Sequence, residues 1–252
     1  MISKLIILAA GQGSRLQPLT ENCPKGLVDL HGKPLLEWQI ASAREAGITE
    51  IAIVCGYKAE KMPFHDVHYF FNPQYASTNM VETLKCARSF WDGGFIASYS
   101  DIVFEPEMLR QQINSHHPIT VTIDKQWKPY WQQRFVNILE DAETLRMDNK
   151  GRILEIGANA KDISEIQGQY VGLSGFADSA IPELENFLRD TKCPLTPQSY
   201  MTDLLQHLII KGISIHSTQY DGGWLEIDSI ADLDLAKQTS HPNKEGFLTI
   251  KR

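Results

Sequence analysis

The sequence predicts an α/β fold in three layers, α/β/α, with a mixed, mainly parallel central sheet and a small β-rich insertion. Three observations carry this expectation. Short apolar runs alternate with amphipathic stretches through the first half, the pattern of βα units wound around a parallel sheet. The middle of the chain switches to short alternating runs around an Asn149-Lys150-Gly151 turn, as in an antiparallel hairpin. The 252 residues, 42% of them hydrophobic, run without a Pro/Ser/Gly-rich linker or a long charge run. That is enough chain for one large core, and residues 1–252 read as a single domain.

In chain order, "KLIILAA" is apolar almost throughout and ends in a glycine turn, as a first strand buried on both faces does. "LLEWQIASAREAG" has helical spacing and closes on Gly47. "EIAIVCG" and "VHYFFN" follow as strands. "NMVETLKCARSF" is a helix, with Ser77, Thr78 or Asn79 placed to cap it. "GGFIASYSD" is a strand that ends at Asp101, "PEMLRQQINS" a helix and "ITVTID" a strand. The hairpin occupies "FVNILEDAETLRMDNKGRILEIG". "QYVGLSGFA", "TDLLQHLIIKG", "SIHSTQY" and "WLEID" then resume strand and helix before a last helix, "SIADLDLAKQ".

Chemistry first appears in the turn after the first strand. Gly11 and Gly13 let the chain turn sharply and let backbone N–H groups approach a ligand closely. The turn is neither a dinucleotide fingerprint nor a Walker A loop, because both require another residue where this chain has Leu16. An ordinary tight turn would use the same glycines. What sets this one apart is Arg15, two residues past Gly13, and Lys25, after Pro24 in an extended segment, two cations suited to phosphate oxygens.

The stretch "LAAGQGSRLQPLT", followed by "PKGL", resembles the N-terminal signature of nucleotidyltransferases that activate sugar phosphates and choline phosphate, L-A-A-G-x-G-x-R-L-x-P-L-T-x-x-x-P-K-x-L. Every fixed position is matched. The resemblance implies a Rossmann-like nucleotidyltransferase fold in which Leu8, Ala10, Gly11 and Gly13 pack against the base and phosphates of a nucleoside triphosphate. It also implies that Arg15 and Lys25 are catalytic cations on the phosphates. The first half, residues 1–125, would hold the nucleotide, and residues 126–236 the acceptor and a second metal carboxylate.

Such a reaction needs charge neutralised on the transferring phosphate, usually by Mg²⁺ held on one or two carboxylates. Asp101, at the end of its strand, points toward the crevice where open α/β sheets bind ligands. "WLEIDSIADL" offers Glu226 and Asp228, although Asp228 is equally well placed to cap the last helix. In the family an aspartate ends a central strand and a second acid returns late in the chain, so the resemblance assigns Mg²⁺ to Asp101 and Asp228. Glu226 stands in reserve, because alternation places it on the same strand face as Asp228.

Residues 72–88, "NPQYASTNMVETLKCAR", resemble the N-x-x-Y-x-x-T-N-x-x-x-S-L segment of the choline-phosphate cytidylyltransferase branch, with Thr83 in place of its serine. The branch implies CTP as donor, Tyr75 and Asn79 on the nucleotide, and Asn72, Lys161, Tyr170 and Asp203 on the acceptor side. Its members act on choline phosphate, aminoethylphosphonate or an amide-phosphorylated glutamine. "DKQWKPYWQQRF" gathers Trp127, Tyr130, Trp131 and Arg134, and aromatic faces suit an ammonium group. "IGANAKD" stands where relatives carry a basic I-G-[KR]-K-P-like segment, which leaves Lys161 two positions from the expected lysine.

A net charge of −7 argues against a nucleic acid or an anionic membrane as the main partner. The four cysteines are far apart and form no C-x-x-C pair, and no window approaches the length of a membrane span. These features suit a cytoplasmic protein, with exposed aromatics leaving room for a homodimer. The reading is a Mg²⁺-dependent cytidylyltransferase that joins CMP to a small phosphorylated metabolite, giving a CDP-linked product for surface-polysaccharide or phosphonate decoration. Two alternatives are a sugar-1-phosphate nucleotidyltransferase using UTP, dTTP or GTP, and a non-catalytic nucleotide sensor.

Overall fold

The computed structural model describes residues 2–251. Strand β1 (Lys4–Ala9) is buried along its whole length. It lies between two parallel neighbours, so neither face nor edge meets water and the sequence can be apolar without alternation. A short hairpin of β2 (Asp29–Leu30) and β3 (Lys33–Pro34) leads into α1 (Leu35–Glu45), which ends before Gly47, a residue at φ 94°. Then come β4 (Glu50–Cys55), β5 (His68–Phe71) and α2 (Met80–Cys86), and Asn79 caps α2 by accepting from the Met80 N–H at 2.9 Å.

Strand β6 (Phe95–Tyr99) turns at Asp101 into a three-residue strand, β7 (Ile102–Phe104). Helix α3 (Pro106–Ile113), strand β8 (Ile119–Asp124) and α4 (Trp127–Arg134) follow. The expected hairpin is β9 (Glu143–Met147) with β10 (Ile153–Asn159), paired antiparallel. The chain continues through β11 (Gln169–Phe176), α5 (Ile181–Arg189), α6 (Met201–Ile210), β12 (His216–Tyr220), β13 (Trp224–Glu226) and α7 (Ile230–Thr239). It closes with a pair formed by β14 (Ser240–Pro242) and β15 (Leu248–Ile250).

The central sheet has seven strands in the order β12-β8-β11-β6-β1-β4-β5. Only β11 runs against the rest, pairing antiparallel with both β6 and β8. Alternation along β1 divides the core. Leu5, Ile7 and Ala9 pack with α1, α3, α4 and α7, whereas Ile6 and Leu8 pack with α2, α5 and α6. This is the expected three-layer arrangement, and the β9–β10 hairpin is the β-rich insertion, packed against α6.

Several features differ from the sequence reading, among them the short β2–β3 and β14–β15 pairs and helix α4. Helix α5 buries Leu184 and Phe187 behind a proline at its N-terminus, too short a run for its period to stand out in the sequence. Strand β7 has only three residues, too few to show a period, and it pairs antiparallel with β13. The aromatics of α4 are not a surface: Trp127, Tyr130 and Trp131 are 4%, 3% and 1% exposed and belong to the core, so they supply no dimer face. Among the described residues, no helix is long and apolar enough to cross a membrane.

Candidate active site

Strands β1 and β6 are parallel neighbours, so the loops after their C-terminal ends open side by side, the usual ligand crevice of such sheets. The first loop is shaped by its glycines. Gly13 sits at φ 70°, and a Cβ there would lie 2.7–2.9 Å from the Lys25 Cβ, Cγ and Cδ. Only glycine lets the lysine stem cross the loop so closely. Thr20, fully buried, donates its hydroxyl to the Gly13 carbonyl at 2.8 Å and pins the turn. Gly11 is different, because a Cβ on it would meet no protein atom within 4 Å.

The second loop presents Asp101. The β7–β13 pairing then returns the late chain to it, and the Ile227 N–H donates to the Asp101 carbonyl at 2.8 Å. Asp228 is thereby set beside Asp101. The buried Lys25 ammonium spans the pair, 2.6 Å from Asp101 Oδ2 and bonded to Asp228 Oδ1. Burial pulls the lysine pKa down, but the two carboxylates outweigh it and hold it above its ordinary value. Arg15, largely exposed, reaches Asp228 Oδ1 at 3.0 Å. Asp228 does not cap the last helix: Ser229 does, in a reciprocal capping box with Asp232. That leaves both Asp228 carboxylate oxygens for the site.

A third cation lies behind them. The Arg134 side chain is fully buried, 2.8 Å from Asp232, 3.6 Å from Asp228 and bonded to Glu226. Its guanidinium lies over the Trp131, Phe135 and Tyr130 rings. Asp232 in turn accepts from the Asp228 and Ser229 N–H groups at 3.1 and 2.9 Å. Arg134 therefore fixes the backbone that carries Asp228. It also engages Glu226, whose carboxyl burial holds above its ordinary range even though Arg134 opposes the shift.

Two cavities meet at this charged centre. One, of about 200 Å³, is lined by the β1 loop, Lys25, Tyr75, Asn79 and Thr83 as well as Asp101 and Asp228. The other, of about 190 Å³, is lined by Trp131, Asp141, Glu143, Gln169, Tyr170 and Glu226 among others. Arg15, Met80, Tyr99, Asp101 and Asp228 border both. In the second cavity burial, reinforced by Asp141, raises the Glu143 carboxyl to about 7.

Most residues singled out in the sequence converge here. Leu8, Ala10, Gly11, Gly13, Arg15, Lys25, Tyr75, Asn79, Asp101 and Asp228 line the first cavity, and Tyr170 and Glu226 the second. Three do not converge. Asn72 is buried and spends its amide on the Thr78 and Thr83 hydroxyls, each at 3.0 Å, so it holds the loop before α2. Lys161 is exposed in a turn closed by Glu165. Asp203 accepts from the Tyr200 N–H at 2.7 Å at the start of α6 and lines a different cavity. Arg134, which the sequence groups with the aromatics of an ammonium site, is instead the buried counterion of Glu226 and Asp232, and Asp141, Glu143 and Gln169 reach the second cavity from segments that carry no chemical motif of their own.

The Asp101–Asp228 pair suits a hard divalent cation. Asp101 Oδ1 is buried without a hydrogen-bond partner, a lone pair an oxygen-seeking ion would satisfy. No group of three or more His, Cys, Asp or Glu side chains among the described residues is arranged to hold an ion unaided. Phosphate oxygens and water would have to complete the shell.

A glycine turn with two phosphate-suited cations thus faces a pair of carboxylates, and the chain belongs to the MobA-like NTP transferase family, whose domain matches residues 5–193. It is 39% identical over 249 residues to the CTP:phosphoglutamine cytidylyltransferase of Campylobacter jejuni, covering 91% of this chain and 97% of that protein. It is 28% identical over 237 residues to the 2-aminoethylphosphonate cytidylyltransferase of Lancefieldella rimae, covering 90% of this chain and 89% of that protein. Among solved structures, CTP:phosphocholine cytidylyltransferase from Streptococcus pneumoniae shares the fold, with a TM-score of 0.73 at 22% identity over 94% of this chain and 98% of that one.

Proposed function

We propose that the protein is a cytidylyltransferase that transfers CMP from CTP to the phosphoryl group of a small polar metabolite and releases pyrophosphate. The observation that carries this reading is the pair of cavities sharing Arg15, Asp101 and Asp228 at their border. A donor in one and an acceptor in the other would meet at the charged centre. An acceptor phosphoryl oxygen attacks the α-phosphorus of CTP, the bond to the β-phosphate oxygen breaks, and pyrophosphate leaves with the electron pair. The attacking oxygen is already ionised near neutral pH, so the step needs no general base.

In this reading Leu8, Ala10, Gly11, Gly13, Tyr75 and Asn79 hold the nucleotide. Lys25 and Arg15 supply positive charge where negative charge builds up on the α-phosphate and the leaving group. Asp101 and Asp228 would hold Mg²⁺, which would neutralise phosphate charge. Glu226 is committed to Arg134 and holds the late strand in place. The second cavity carries Asp141 and Glu143 beside aromatic walls, an environment for an acceptor with a cationic nitrogen. Phosphocholine, aminoethylphosphonate and phosphoglutamine types all meet that description. The product would be a CDP-linked precursor made in the cytoplasm for surface decoration.

Pyrophosphate release, measured with each nucleoside triphosphate, Mg²⁺ and a panel of phosphorylated acceptors, tests the proposal. CTP should support release with an acceptor of this class. Release with UTP or dTTP and a hexose 1-phosphate, and none with CTP, would establish the sugar-nucleotide alternative. Full biological activity in an Asp101→Ala variant would establish the non-catalytic one.

A further inference from the structure

Helix α1 buries Leu35, Leu36, Trp38, Gln39, Ser42 and Ala43 along one face. Two of these are polar, and Gln39 and Ser42 are 0% and 1% exposed. A polar group this deep costs stability unless it is hydrogen-bonded, so an apolar residue would fill either place with less demand on its surroundings. The bonds that the two side chains make explain their presence.

The Gln39 side chain spans the turn that carries Asp101. Its amide nitrogen donates to the Tyr99 carbonyl at 2.9 Å and to the Ile102 carbonyl at 2.7 Å, and its Oε1 accepts from the Ser98 hydroxyl at 2.9 Å. Carbonyl oxygens only accept, so these partners settle which way round the amide sits. Both of its N–H groups are thereby spent, one on the last residue of β6 and one on the first of β7. Between those residues lie only Ser100 and Asp101. The backbone on either side of Asp101 is clamped from α1, while the Asp101 carbonyl itself is held by the Ile227 N–H at 2.8 Å. Ser42 offers a contrast. Its hydroxyl donates to the Phe104 carbonyl at 2.7 Å, which ties α1 to β7 beyond the turn.

Resting on the proposed function, in which Asp101 and Asp228 hold Mg²⁺ for CTP, we propose that Gln39 is a positioning residue for the metal carboxylate. It lines neither cavity and acts through the backbone, fixing the two-residue turn so that Asp101 is presented beside Asp228. Groups that orient a metal ligand from behind commonly contribute about 10–100-fold in metal affinity.

The test is calorimetric titration with a CTP analogue whose α,β-bridging oxygen is replaced by a methylene group, once with Mg²⁺ and once with EDTA. The ratio of the two Kd values is the gain in affinity that the ion brings, and reading it requires no turnover. Gln39→Met keeps the reach of the side chain and removes its hydrogen bonds; it should cut that gain about 10-fold and leave the Kd in EDTA unchanged. Ser42→Ala removes a comparable bond from the same helix and should lower Tm with the gain intact. Ser98→Ala takes away the donor to the Gln39 carbonyl oxygen and should reduce the gain in the same sense, by less. An undiminished gain in Gln39→Met, or in Ser98→Ala should Gln39→Met fail to fold, would overturn the proposal, as would an equal reduction in Ser42→Ala. In each of those cases the parent's own gain still supports the metal at Asp101 and Asp228. A parent that binds the analogue no more tightly with Mg²⁺ than in EDTA would refute that assignment, and the role of Gln39 would fall with it.

Discussion

At the scale of single residues, the two loop glycines give opposite expectations although one motif supplies both. Gly11→Ala places a methyl group in space no protein atom occupies, so it should leave thermal stability unchanged and raise the KM for CTP. Gly13→Ala forces φ 70° on an L side chain and pushes against the Lys25 stem, so it should lower both Tm and kcat. Lys25→Met should lower kcat by about 10²–10³-fold, the usual loss when one charge-stabilising group is removed from a transition state. Glu143 makes a pH expectation. Its carboxyl is raised from 4.5 to about 7, so between those values the native state keeps a proton the unfolded chain has released. Stability falls as pH rises through that window. Glu143→Gln should therefore have a higher Tm than the parent at pH 8, and the difference should vanish below pH 4.5, as a denaturation series at several pH values would show.

At the scale of elements, the site depends on a strand pair that almost escapes notice. The sequence places Asp101 at the end of β6 and Asp228 near the start of the last helix, and nothing in their spacing brings them together. The β7–β13 pair does so, locked by the Ile227 to Asp101 backbone bond. The residue types could announce the glycine turn, Arg15 and Lys25 because they lie in one contiguous stretch. They could not announce Glu143 or Gln169, which reach the second cavity from β9 and β11, nor Arg134, which looked like part of a surface cluster and is the buried counterion that ties α4 to α7. Removing that charge leaves Glu226, Asp228 and Asp232 facing one another. Arg134→Met should therefore destabilise the fold by about 3–5 kcal/mol in chemical denaturation, the usual cost of breaking a buried ion pair.

At the scale of the molecule, the antiparallel strand β11 divides the labour. On one side of it the parallel units β6-β1-β4-β5 carry the glycine turn and Asp101. On the other, β8 and β12 extend the sheet, and the β9–β10 hairpin closes the second cavity. The alternation of apolar runs made the parallel part legible in advance, and the Asn149–Gly151 turn did the same for the hairpin. The residues that line the second cavity come from all over the chain, and only the assembled fold shows them as a set. Ligand linkage follows: CTP with Mg²⁺ at 100 times its Kd should stabilise the native state by about 2.7 kcal/mol, read as a Tm rise that Asp101→Asn and Asp228→Asn abolish.

The measurement closest to the central claim is phosphorus NMR of the reaction between CTP and amide-phosphorylated glutamine with Mg²⁺ present. A centre that joins donor and acceptor across Asp101 and Asp228 yields one CDP-linked product and one pyrophosphate for each CTP consumed, and Asp101→Asn yields neither. Unchanged CTP with every phosphorylated acceptor of this class, beside turnover of UTP or dTTP with a hexose 1-phosphate, would contradict it.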